Sequence, residues 1–112
     1  MDSARKKDLI REYREAKPQP GVFAVTCTAA AKIWTAASPN LATARNGVWF
    51  QLRAGGYINR KAQAAWNEHG ENAFAFEVLE EIADDNREMV ALLLKEREAH
   101  WRKERGAEKL VG

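Results

Sequence analysis

Apolar positions follow two rhythms along the chain. Gly21 to Thr28 and Ala31 to Ala37 are short β-rich runs, and the Thr28-Ala29-Ala30 link between them is short enough for a hairpin. A third run, Ala73 to Ile82, alternates and predicts a strand with Phe74, Phe76 and Val78 on one side. Elsewhere the spacing is helical. Leu41, Ala44, Val48 and Leu52 form one apolar face, opened by Ser38-Pro39-Asn40, with Ser38 or Asn40 as cap, and stopped by Gly55-Gly56. Asn59 suits the cap of a further helix that carries Ala62, Ala65 and Trp66 and ends at Gly70. Asp85 is the expected cap of a long last helix, with Glu88 in the capping-box position. Ahead of all these, Ser3 to Lys17 reads as a charged helix with a narrow stripe of Leu9, Ile10 and Tyr13, ended by Pro18 and Pro20.

The order α-β-β-α-α-β-α predicts a small α/β (α+β) domain. Its sheet should be three-stranded and mostly antiparallel, flanked by helices. The division expected is an N-terminal helix over 1–17 and one domain over 18–112, because the Pro-containing stretch after Lys17 is the only linker-like segment. A chain of 112 residues with 46% hydrophobic content can bury a core without staples, which excludes general disorder. The longest wholly apolar run, Met89 to Leu94, is far too short for a membrane span, so no membrane association is expected. One cysteine, Cys27, excludes an internal disulfide framework and a multi-cysteine zinc site, and the expected compartment is a reducing cytoplasm. On a strand with no histidine partner in view, Cys27 reads as a buried structural thiol.

Net charge is only +2, yet its distribution is uneven. No acidic residue occurs between Glu15 and Glu68, while Lys17, Lys32, Arg45, Arg53, Arg60 and Lys61 do, interleaved with Trp34, Trp49, Tyr57 and Trp66. Such a stretch suits a phosphate backbone, because each cation seated on a phosphate releases a condensed counterion. The competing reading is simply that acids concentrate near the C-terminus. Arg45, Trp49 and Arg53 share one helix face at i, i+4 and i+8, and with Arg60 and Lys61 they are the candidate nucleic-acid contacts. The last helix raises a separate question at Glu98, four residues after Leu94 and three before Trp101. A carboxylate on a partly apolar face needs a cation, hydrogen bonds or a route to water.

Taken in order, these residues resemble the GIY-YIG nuclease family. Gly21-Val22-Phe23 stands where that family has Gly-Ile-Tyr, and Trp34-Thr35-Ala36 where it has Tyr-Ile-Gly. The series Asn59, Gln63, Trp66-Asn67, Gly70, Phe74 and Leu79-Glu80-Glu81 is similar to the middle block of the intron-homing branch. Glu96-Arg97-Glu98-Ala99-His100-Trp101 is similar to that branch's metal-binding helix segment, in which the second glutamate is the ligand. The first twenty residues resemble the leading helix of GIY-YIG-like domains found on some bacterial transcriptional regulators.

The resemblance implies metal-assisted phosphodiester hydrolysis. A motif tyrosine helps activate water, a helix arginine meets the developing charge, and a glutamate holds Mg²⁺ or another divalent ion. It maps the catalytic positions onto Phe23, Trp34 and Ala44, with Arg45 one residue past the arginine slot, and the metal position onto Glu98. Neither Phe23 nor Trp34 has a hydroxyl suited to the role, Ala36 replaces the glycine, and Val48 stands where a histidine often does. Arg45 lies about 100° round the helix from the arginine slot. The expectation is therefore a domain that binds nucleic acid, DNA in the first instance, with weak or lost cleavage. Two alternatives stay open: an active endonuclease using Glu98, a divalent ion and a repositioned Arg45, and a protein-interaction module. Phe23 and Trp34 are expected on adjacent strands facing one cleft.

Overall fold

Gly21 starts β1 (Gly21–Cys27), the central strand of the domain, at a point where nothing larger fits. A β-carbon there would collide with the Glu80 carbonyl oxygen on one neighbouring strand and with the Leu41 side chain. The computed structural model describes residues 18–111. The helix expected over Ser3–Lys17 lies outside the described residues.

β1 pairs antiparallel with β2 (Lys32–Ser38), Phe23 opposite Ala36 and Val25 opposite Trp34. The hairpin connection runs through Thr28–Ala31, one residue longer than the expected link. Ala31 closes it in the left-handed region at φ 53°, a conformation that costs a β-carbon-bearing residue about 1–2 kcal/mol. On the other side of β1, β3 (Phe74–Glu81) is also antiparallel, with a register shift between Val22 and Phe23. A fourth strand, β4 (Glu108–Lys109), adds parallel to β2, so the sheet order is β3-β1-β2-β4 rather than the expected three strands. Two residues carry no readable periodicity. β4 exists because Leu110, 1% exposed, is anchored in the core and its N–H donates to the Thr35 carbonyl.

The helices form where caps and spacing dictate. Asn40, not Ser38, caps α1 (Leu41–Ala54) by accepting from the N–H groups of Ala42 and Thr43, and Gly55 ends it at φ 84°. Asn59 caps α2 (Arg60–His69), and Gly70 ends it. The long helix α3 (Arg87–Arg105) is capped by Asn86 rather than Asp85. Asp84 Oδ1 accepts from the Asn86 N–H and fixes the turn one residue later, so Glu88 falls short of the capping-box position.

Alternation along β1 and β2 sorts their side chains between two layers. Phe23, Val25, Cys27, Trp34 and Ala36 join one core with Leu41, Val48, Leu52, Ala62, Ala65, Trp66 and Phe74, beneath α1 and α2. Val22 and Ala24, equally buried, face the other way, and α3 packs against β1 and β2. Among the described residues, no helix is long and apolar enough to cross a membrane.

Candidate functional site

The motif strands bring Phe23 and Ala36 to the edge of a cleft of about 460 Å³ between the sheet and α1. Ala44, Gly47 and Val48 supply its helix wall, with Ser38, Gln51, Tyr57 and Ile58 around them. The positions that the family resemblance assigns to a tyrosine, an arginine and a histidine thus converge on one place. Here they present a phenyl ring, a methyl group and an isopropyl group. Trp34 shares the face of Phe23 but not the cleft: it is 1% exposed and stacks in the core against Phe74 at 6.3 Å. Its indole N–H is buried, with no hydrogen-bond partner among the described residues.

Tyr57 carries a hydroxyl in this wall, but it too is buried and has no partner among the described residues, and burial pushes its pKa up to about 12. A phenol held so firmly neutral is a poor proton acceptor near neutral pH.

Glu98 lies on the far side of the sheet from Phe23. Thr35 alternates away from Trp34 and Ala36 toward α3, and its hydroxyl donates to Glu98 Oε2 at 2.8 Å. The other oxygen, Oε1, faces Arg102 Nη1 at 3.4 Å, one helical turn on. The side chain is only 12% exposed, so both oxygens are already served by the protein. Hard divalent ions take six or more oxygen ligands. Among the described residues no three His, Cys, Asp or Glu side chains gather closely enough to hold an ion. One carboxylate shared between a threonine and an arginine does not fit a resident divalent ion. Its surroundings fit a structural tie between α3 and β2.

The candidate nucleic-acid residues separate into two places. Arg45, Trp49 and Arg53 line an open cleft of about 600 Å³ on the outer face of α1, together with Asn46, Gly47 and Phe50. Arg53 Nε donates to Glu71 Oε1 at 2.7 Å, which raises the arginine pKa and lowers that of Glu71. Trp49 is half-buried, edge-on to Trp66 and Phe76, so most of its ring is committed to packing. Arg60 and Lys61 sit in the first turn of α2, outside that cleft, and Lys61 lies 3.6 Å from Glu108. Arg45 has no carboxylate within ion-pair distance among the described residues.

The middle-block residues prove to be scaffold. Asn59 Oδ1 caps α2, while its amide nitrogen donates to the carbonyls of Lys109 and Leu110 and holds β4 in place. Gln63, 8% exposed, accepts from the Tyr57 N–H and donates to the Leu52 carbonyl and to Asn67. It thereby closes the loop between α1 and α2. Glu80 receives the Trp101 indole N–H and the Arg97 Nε, each at 2.8 Å, which pins α3 to β3. The indole hydrogen bond, followed by Arg97, holds the Glu80 carboxyl below its usual range.

Sequence reasoning did not single out Thr35 or Phe50. Strand parity put Thr35 on the opposite face from Trp34, but nothing in the chain names its partner 63 residues away. Phe50 was visible as an aromatic on the polar side of α1, three residues before Arg53.

No family model and no curated protein matches the chain. Among solved structures, it is similar to the catalytic domain of the homing endonuclease I-TevI. The identity is 28% and the TM-score 0.64, with 76% of this chain and 86% of that one covered. It is also similar to a glutamate-to-alanine mutant of the same intron endonuclease domain, at 26% identity and a TM-score of 0.64, covering 77% and 82% of the two chains. The fold is GIY-YIG-like.

Proposed function

We propose that this domain of GIY-YIG-like nuclease fold binds nucleic acid through its basic face and cleaves it weakly or not at all. One observation carries the reading. The cleft that gathers the positions the family resemblance assigns to the first tyrosine, the arginine and the histidine is walled by Phe23, Ala36, Ala44 and Val48, and among the described residues it offers a phosphodiester neither a general base nor a cation. Attack by water at neutral pH needs a group to take its proton. The pentacoordinate phosphate then needs positive charge close by, and losing one such stabiliser commonly costs roughly 3 kcal/mol, a hundredfold or more in rate. Both needs go unmet in this cleft. Glu98, on the opposite face of the sheet, is held by Thr35 and Arg102.

Binding has better support. Arg45, Arg53, Arg60 and Lys61 are exposed on α1 and α2, and the neighbouring structures are catalytic domains of a homing endonuclease. A supercoiled plasmid incubated with Mg²⁺ or Mn²⁺ should show no nicking above background. Duplex DNA should bind with an affinity that falls steeply with salt. The double variant Arg45→Ala/Arg53→Ala should shallow that slope by about one unit for each phosphate it no longer neutralises. Metal-dependent cleavage abolished by Glu98→Ala would overturn the catalytic half of the proposal. An affinity indifferent to salt and to both arginines would overturn the binding half and favour a protein-interaction module.

A further inference from the structure

Phe50 is the largest anomaly on the surface of α1. It is 71% exposed, on a helix whose apolar face is already fully used by Leu41, Val48 and Leu52. It stands one turn after Asn46 and Gly47 and one turn before Arg53, and all of these line the open cleft that Arg45 and Trp49 complete. Gly47 is equally unexplained by packing. In a helix interior, glycine costs about 1 kcal/mol relative to alanine. Yet Gly47 is not among the glycines with positive φ, and a β-carbon there would meet nothing within 4 Å. Neither conformation nor crowding requires it. What its missing side chain does leave is a bare saddle beside the Phe50 ring, shared between this cleft and the one under Phe23.

An exposed aromatic ring, a notch beside it and flanking guanidinium groups are the parts of a single-strand nucleic-acid site. A base stacks on the aromatic face while cations track the backbone, and the contact tolerates any sequence because every base has a π-face. A paired duplex does not offer a base face to a ring on a helix side. Arg45 and Arg53 are eight residues apart, about 12 Å along the axis, so a chain lying along α1 meets one at each end of the cleft. Arg53 gives its Nε to Glu71, which orients the group, and among the described residues its terminal nitrogens have no other partner. Between Glu15 and Glu68 the sequence holds no acid, so α1 itself presents none to repel a phosphate.

We infer that the outer face of α1 is a single-strand binding site, in which Phe50 stacks an unpaired base over the Gly47 saddle while Arg45 and Arg53 hold the adjacent phosphates. The inference rests on the nucleic-acid reading above and adds the substrate class and the residue that selects it.

The test is fluorescence anisotropy of the full chain with labelled poly-dT, poly-U of equal length and a mixed-sequence duplex at one salt concentration. Wild type should bind single strands more tightly than the duplex, and the dT and U arms show whether the site prefers DNA or RNA. Phe50→Ala should weaken single-strand binding roughly 5- to 150-fold, the range for one stacked base, and leave duplex binding unchanged. Phe50→Tyr should retain single-strand binding. Gly47→Ala should raise the melting temperature, as a helix-favouring change, and still weaken single-strand binding. Because Phe50 is exposed, its variants should melt as wild type does, which separates impaired binding from impaired folding. If Phe50→Ala leaves single-strand affinity unchanged, or lowers duplex affinity equally, the inference fails while the nucleic-acid reading stands. If wild type binds none of the three probes, both fail together.

Discussion

Replacing Glu98 with alanine separates a structural carboxylate from one kept for an ion. In the structure Glu98 Oε2 accepts the hydroxyl of Thr35, a residue 1% exposed, at 2.8 Å. A hydrogen bond to a charged acceptor contributes about 1.5–3 kcal/mol, and the alanine variant leaves that buried hydroxyl without its acceptor. The partly exposed Arg102 contact at 3.4 Å adds less than about 1 kcal/mol. Glu98→Ala should therefore destabilise the domain by about 2–3 kcal/mol in urea denaturation. At roughly 4–8 °C per kcal/mol for a domain of this size, the melting temperature should drop by at least about 8 °C. Glu98→Gln keeps an oxygen for Thr35 and should lose far less. A double-mutant cycle with Thr35→Val should return a coupling of about 1–3 kcal/mol, because the two side chains touch. Millimolar Mg²⁺ should leave the wild-type melting temperature unmoved. A Glu98→Ala variant within about 0.5 kcal/mol of wild type, the range of an ordinary surface change, would refute the structural role. So would Mg²⁺ that raises the melting temperature of wild type but not of the alanine variant, since the carboxylate would then be reserved for an ion.

Two further outcomes follow from buried or paired titratable groups. The Tyr57 phenol is raised to about 12 from an unfolded value near 10, so its contribution to stability is complete below the unfolded value and is lost as pH rises through the folded one. Tyr57→Phe should remove that alkaline loss and, by deleting a buried hydroxyl that has no partner among the described residues, gain about 1 kcal/mol near neutral pH in urea titrations. A comparable loss would mean that the hydroxyl has a partner. For Glu80 the sign is opposite. Trp101 and Arg97 hold its carboxyl low, so its contribution is present above the unfolded value, about 4.3, and disappears as pH falls through the folded one. Glu80→Gln should flatten the fall in melting temperature on acidification, and an unchanged acid limb would show that the tie between α3 and β3 does not depend on the charge.

Much of this fold was legible because its signals are local. Asn40, Asn59, Gly55 and Gly70 act within a turn of where they stand, and the apolar face of α1 needs only its own spacing. The hairpin partners are neighbours in the chain. One-residue errors arose where two neighbouring residues could serve equally, as with Asp85 and Asn86. The two-residue β4 was hidden because it is a strand only by virtue of β2 beside it and the anchoring of Leu110 and Asn59.

The site divides along the same line. By itself the sequence determined that the positions the family resemblance assigns to hydrolysis carry no suitable hydroxyl, arginine or histidine, since those absences are a matter of residue identity at Phe23, Trp34, Ala44 and Val48. It also determined the acid-free basic stretch. Only the tertiary structure decided how those charges are spent. Glu71 and Glu108, outside the stretch, fold back onto Arg53 and Lys61, so linear charge overstates the positive field. Packing likewise decided that Trp34 is core, that Phe50 stands in solvent, and that Glu98 faces Thr35 on the far side of the sheet from Phe23. A side chain's chemistry travels with the residue. Its partners and its exposure depend on which distant segments must come together to bury the apolar faces, and no local signal encodes that.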